Sequence, residues 1–153
     1  MFKEMRKSQR QLSSEGTIEI LNTADFGFLA INGEEYAYGV PINYVYENEK
    51  IYFHCAAEGQ KLDMIKKNNK VSFTAVTKHD ILADKFSTDY RSAIVFGTAE
   101  EVCGEEKIAA LMAFVKKFSS DYMEEGRKYV EKAADKAKVY GIRIDHVTGK
   151  GRI

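Results

Sequence analysis

Tryptophan is absent from this chain, proline occurs once and cysteine twice. A single proline leaves little room for long irregular loops, where proline is normally spent. Two cysteines are too few for a disulfide framework, so Cys55 and Cys103 read as small core residues. No apolar run approaches the roughly 20 residues that cross a bilayer. The opening stretch, MFKEMRKSQRQLSSEG, also lacks the apolar segment of a signal peptide. A cytoplasmic location without membrane attachment is therefore expected. Neither sign of charge dominates, because 23 basic residues meet 23 acidic ones. No overall positive field exists to gather nucleic acid or a membrane surface, and any anion site has to be local.

Missing motifs narrow the chemistry further. There is no G-x-S-x-G, Walker loop or G-x-G-x-x-G, so hydrolase, NTPase and Rossmann readings have no anchor. His54 and Cys55 are neighbours on a strand and point to opposite faces, while His79 and His146 lie in other segments without zinc-motif spacing. No metal site is expected.

What is present fits one domain over residues 1–153, with 44% apolar and 30% charged residues, enough to build a core. Nine tyrosines and nine phenylalanines point to a sheet-rich centre. Ser13 or Ser14 can cap a short helix through Ile18, Ile20 and Leu21, making residues 1–25 an N-terminal helical segment. Residues 26–32 read as a strand that turns at Asn32-Gly33, a strong two-residue hairpin signal, into a return strand over 34–47. Asn48-Glu49 turns the chain again into a strand over 50–57, and residues 59–68 have helical spacing. A strand over 70–77, a polar loop, and a long strand over 90–103 bent at Gly97 follow. Residues 105–135 form a helical insertion whose first helix presents Ile108, Leu111, Met112, Val115 and Phe118. Gly126 weakens the second. A last strand over 137–147 ends in the tail TGKGRI. Adjacent antiparallel strands with late helices exclude a doubly wound parallel sheet and favour a small β-barrel with flanking helices.

Two places carry chemistry. In HCAAEGQKLD, a strand hands over to a helix through Ala56, Ala57 and Gly59, with Lys61 in the first helical turn. A helix start offers free N–H groups and a positive dipole end, which suit an anion. Lys61 opposes that dipole unless an anion is present; read on residues alone, it either marks such a site or points into water. Pro41, in GVPINY, marks a strand edge or bulge where backbone groups of Val40, Ile42 and Asn43 become free. Either a flat ring enters there or the strand is a plain structural edge. Tyr90, Arg91 and Ser92 could add polar contacts at the head of the long strand.

These segments, V-P-I-N-Y, then I-Y-F-H-C-A-A-E-G-Q-K-L-D, then K-V-S-F-T and Y-R-S-A-I-V-F-G-T-A-E-E-V, resemble the pyridoxamine 5′-phosphate oxidase-like FMN-binding split barrels. Within them the chain is most similar to the 5-nitroimidazole resistance group of flavoproteins. The resemblance implies a mainly β fold, a six-stranded antiparallel Greek-key split barrel, with two chains pairing and FMN in the cleft between them. It implies that Lys61, His54, Cys55 and Ala56 face the FMN phosphate and ribityl chain. Val40, Pro41, Ile42 and Asn43 would line the isoalloxazine, with Tyr90 and Ser92 nearby and Lys150 assisting. Many relatives carry Ser or Thr where Cys55 stands, so one phosphate donor is expected to be missing. The arginine-rich motifs of true pyridoxamine phosphate oxidases are not evident, and vitamin B6 oxidation is not expected. The implied activity is an FMN-dependent reductase for a small flat acceptor such as a nitroimidazole, with His54 positioning or protonating it. A non-enzymatic protein that stores or senses FMN or haem is the alternative.

Overall fold

A computed structural model describes residues 1–152. Helix α1 (Ser14–Thr23) begins where Ser13 places its Oγ 3.1 Å from the Gly16 N–H, capping an otherwise unpaired donor. It buries Thr17, Ile20 and Leu21. Seven strands follow in one antiparallel sheet: β1 (Phe26–Ile31), β2 (Tyr38–Asn43), β3 (Val45–Glu47), β4 (Lys50–Cys55), β5 (Lys70–Leu82), β6 (Ser87–Val102) and β7 (Lys138–Arg152). Helix α2 (Gln60–Lys67) links β4 to β5, while α3 (Gly104–Phe118) and α4 (Met123–Ala133) separate β6 from β7. Among the described residues no helix is long and apolar enough to cross a membrane.

The strand order is β2-β1-β5-β6-β7-β4-β3. Strands β2 and β3 thus lie on opposite edges of the sheet, yet only Tyr44 separates them in the chain. One residue spans only about 3.8 Å per Cα step, so the two edges have to meet, and the sheet curls into a split barrel. The expected single strand over 34–47 is therefore two strands, and counting the segment once restores the expected six. Tyr44 at the seam is fully buried, donates its O–H to the Leu21 carbonyl at 2.7 Å and stands edge-on to Phe73.

Three connections differ from the sequence expectation. Asn32-Gly33 makes no tight hairpin, since β1 and β2 close at Ile31↔Tyr38 and leave residues 32–37 as a wider loop. A two-residue type I′ turn needs positive φ at both positions, and Gly33 does not adopt it; Asn48 and Glu49 do, at φ 49° and 62°. The polar loop expected after residue 77 is instead a continued β5, which bulges between Val76 and Lys78 and turns at Phe86 with φ 49°. The tail is also strand from residue 148 to Arg152, paired to β6, while its last residue lies outside the described residues. The bend at Gly97 appears as a register shift between Phe96 and Gly97.

The barrel interior is built from Leu29, Ile31, Ile51, Phe53, Phe73, Val95 and neighbours. A second core lies outside it, where α3 covers Val45, Tyr52, Val102 and Val139. Helix α3 buries Ala110, Leu111, Phe114 and Val115, whereas Ile108 and Phe118, expected inside, are 42% and 41% exposed. The buried stripe is rotated toward the large ring of Phe114, and the first turn of α3 is tied to β4, where the Tyr52 O–H and the Lys50 ammonium both donate to Glu106, at 2.7 and 2.9 Å.

Candidate functional site

The strand-to-helix junction has the local form that the sequence predicts. Gly59 stands at φ 149°, a conformation that side chains rarely adopt, and a Cβ there would meet nothing within 4 Å. It caps α2 without any side-chain bond, and the first backbone bond of the helix runs from Asp63 N–H to the Gly59 carbonyl. The N–H groups of Gln60, Lys61 and Leu62 precede that bond and stay open. Lys61 has no carboxylate partner among the described residues, and its Nζ lies 5.6 Å from the Phe53 ring centre. Gly59 and the small Ala56 and Ala57, all exposed, leave the junction open for a compact anion.

His54 and Cys55 divide between two environments. His54 pairs with Val139 and rests edge-on against Phe114, with ring centres 4.7 Å apart. Burial lowers its pKa first and Lys61 lowers it further, so the imidazole is neutral near pH 7. Cys55 packs against the barrel core. Burial raises the pKa of its thiol against the opposing pull of Lys61 and Lys138, so it is protonated and unreactive.

On β2, Val40 and Ile42 pack against the core, while Pro41 and Asn43 face outward. The strand pairs only with β1, as proline allows on an edge, so its other backbone edge is open within the sheet. Asn43 donates its side-chain amide to the Asp25 carbonyl at 3.2 Å. It also shares one cavity with His54, which brings two of the expected residues together.

Tyr90, Ser92 and Lys150 form a separate group. Ser92 pairs with Lys150 and Tyr90 with Arg152. The Tyr90 hydroxyl has a lowered pKa: slight burial opposes the shift, and Arg10 and Lys150 overcome it. Lys150 lies eleven residues along β7 from Val139, the partner of His54, or about 36 Å of strand. One chain therefore does not bring this group to Lys61.

What the second group does share with β2 is a sheet face. The outward row Pro41, Phe28, Thr74, Ile94, Thr148 crosses five strands, and the next row is Gly39, Ala30, Ser72, Phe96, His146. Phe26, Phe28, Ile94 and Phe96 are between 41% and 51% exposed on it. The sequence reading passed over these residues, as it did Arg10 and the rings of Phe114, Tyr122 and Tyr129. The signal was legible: in FGFLAI both faces of the strand are apolar, so the outward one does not read as an ordinary solvated face.

Residues 13–151 match the family model described as pyridoxamine 5′-phosphate oxidase. The chain belongs to this family. Among solved family structures, a Bacteroides thetaiotaomicron protein described as a candidate 5-nitroimidazole antibiotic resistance protein is 30% identical, with a TM-score of 0.78 over 92% of this chain and 86% of that one. A flavocytochrome from Azotobacter vinelandii has a TM-score of 0.81 at 19% identity, covering 98% of this chain and 72% of the other. An FAD and heme binding protein from Mycobacterium smegmatis reaches 0.76 at 20% identity, covering 93% and 73%. The last two show the shared fold. No curated protein matches the chain. The family membership and the nitroimidazole-resistance neighbour agree with the resemblance read from the sequence.

Proposed function

We propose that this protein is a homodimeric flavoprotein that binds FMN and reduces a small flat acceptor, of the kind represented by nitroimidazoles. The observation that carries the reading is the β4–α2 junction, where open helix N–H groups, a positive-φ glycine and an unpaired Lys61 converge. A terminal phosphate needs donors and positive charge without obstruction, and this junction offers all three. The names of the neighbours, which include a flavocytochrome and an FAD and heme binding protein, support a flavin as the ligand.

The chain's own residues would divide the work. Lys61 and the α2 N–H groups would hold the phosphate, with Ala56 and Gly59 giving it room. Cys55 would add only its backbone, since its side chain packs inward. The open backbone edge at Val40, Pro41, Ile42 and Asn43 would line the flat ring. Bound FMN would supply two-electron transfer between a donor such as a reduced nicotinamide and the acceptor. His54, neutral near pH 7, suits hydrogen bonding to the acceptor better than full proton donation.

The outward face supports the dimer. Its exposed rings and Pro41 form a broad apolar surface, and apolar patches of that kind mark association sites. Two copies joined there would carry the Tyr90, Ser92 and Lys150 row of one chain toward the junction of the other. That supplies what one chain lacks. Vitamin B6 oxidation is not proposed, despite the family's name.

The test is spectroscopic. Purified protein is expected to show flavin absorption bands, release FMN on denaturation, and bleach when NADH or NADPH is added without oxygen; a nitroimidazole should then restore the colour. A colourless protein that takes up no added FMN overturns the reading. A yellow protein that never bleaches leaves the storage or sensing role, and a Soret band identifies haem.

A further inference from the structure

The cavity in front of His54 has a wall that the sequence analysis did not assign. It is an open cleft of about 590 Å³, within the usual range of small-molecule sites. The sheet contributes Asn43 and His54, and the inserted helices contribute the rest. The rings run together: His54 stands edge-on to Phe114 at 4.7 Å, and Phe114 stacks on Phe118 at 6.0 Å. Tyr122 and Tyr129 line the same cavity and are 62% and 64% exposed, so neither ring is packed away from a ligand.

The charge on the cavity's own lining is acidic, and the cation Lys61 acts on His54 from outside that lining. Glu125 is its only carboxylate, and no lysine or arginine lines it. Lys117 lies behind Phe118, with its ammonium committed to the carbonyls of Ala24 and Tyr44. The positive end of α4 is about half a charge, and Glu124 and Glu125 in its first turn outweigh it. Aromatic faces attract cations through their quadrupole, and a carboxylate at the rim adds a counter-ion. An anion would meet repulsion from both.

We propose that this cavity binds a flat, positively charged heteroaromatic ring, held against the aromatic side chains with Glu125 as its counter-ion. The proposal deepens the functional reading above and rests on it for the consequence that the bound ring would lie beside the flavin as its acceptor. The binding itself needs no flavin. The neutral state of His54 agrees with it, because the imidazole in the wall then offers hydrogen bonding without a positive charge of its own.

The experiment compares three probes of similar shape, N-methylquinolinium, quinoline and naphthoate, by calorimetric titration of flavin-free and FMN-loaded protein. N-methylquinolinium is expected to bind about tenfold more tightly than naphthoate. Glu125→Gln should abolish that preference while circular dichroism and flavin content stay unchanged. Equal binding of cation and anion, no binding of the cation, or a preference that survives Glu125→Gln overturns the proposal. Lys61→Ala separates the two readings. It should weaken FMN binding without diminishing the preference for the cation, so a protein that never binds flavin but prefers the cation refutes the flavin reading alone. A flavin-loaded protein without the preference refutes the cavity proposal alone.

Discussion

The ammonium of Lys117 lies 4.1 Å from the centre of the Tyr44 ring and 3.0 Å from the Tyr44 carbonyl oxygen. One side chain of the inserted helix α3 thus clasps the residue at which the sheet passes from one edge to the other. The same ammonium reaches the Ala24 carbonyl at 2.6 Å, just after α1. At the seam, strands part and carbonyls lose their ladder partners, and a buried carbonyl without a donor is costly. Burial lowers the pKa of Lys117, the mark of a cation drawn out of water to satisfy them.

Lys117→Met keeps the length of the side chain and removes the donor. Two buried carbonyls are then left open, and a loss of about 2 kcal/mol in stability is expected. Urea unfolding measures it through a lower midpoint at unchanged slope. An unaltered midpoint would mean that water reaches the seam and the clasp is dispensable.

Gly126 is where α4 meets α3. A Cβ at this position would fall 2.2 Å from Val115 Cγ1, so Gly126→Ala should push the helices apart at a cost of about 1–3 kcal/mol. Helix propensity alone predicts the reverse sign, a gain of about 1 kcal/mol. Adding Val115→Ala to Gly126→Ala should recover part of the loss, and a double-mutant cycle in urea reads that coupling. A stabilised single variant would show that the helices do not pack this closely.

Much of this was legible from residue patterns because the deciding physics is local. The Ser13 cap, the glycine at the start of α2, the bend at Gly97 and the edge proline each depend on a few neighbouring residues. The wider loop at Asn32-Gly33 and the rotated face of α3 do not. The first depends on where β1 and β2 stop pairing, and the second on a ring, Phe114, that finds His54 and the second core only after folding. The candidate site divides likewise. Its junction is contiguous in sequence, whereas the relation of Asn43 to His54, or of Ser92 to Lys150, is set by barrel closure and by register across long strands.

Phe28 tests the proposed dimer face. It is 50% exposed and opposes Pro41, so Phe28→Glu should change the stability of the isolated chain by no more than about 0.5 kcal/mol. Placed in an apolar interface, the new carboxylates would be buried without partners. Sedimentation is expected to shift from dimer to monomer, with flavin lost in parallel. A dimer of undiminished affinity would place the interface elsewhere.

Lys61 tests the phosphate. Lys61→Ala removes the one full positive charge at the α2 start and should weaken FMN by about 1.5–3 kcal/mol, or roughly tenfold to a hundredfold in Kd. Riboflavin, which lacks the phosphate, should bind both proteins alike. The comparison therefore isolates the charge from any general damage to the cleft, and equal losses for the two ligands would remove Lys61 from the phosphate role.

His54 gives the site a pH dependence whose sign can be worked out. Its folded pKa lies below the ordinary imidazole value of 6.5, through burial first and Lys61 second. In the unfolded chain the imidazole returns to about 6.5. As pH falls through that value, the unfolded state takes up a proton that the folded state resists, so stability declines. The His54 contribution is fully present above the unfolded pKa and lost as pH drops toward the lower folded one. Urea midpoints should therefore fall on acidification, and His54→Gln should flatten that part of the slope. Lys61→Ala should move the imidazole only part of the way back, because burial against Phe114 remains. Bound FMN should act in the same direction as removing Lys61, since its phosphate would offset that charge. Proton NMR of the His54 ring, with and without FMN, reads the shift directly, and a ring that titrates identically in both would separate His54 from the phosphate site.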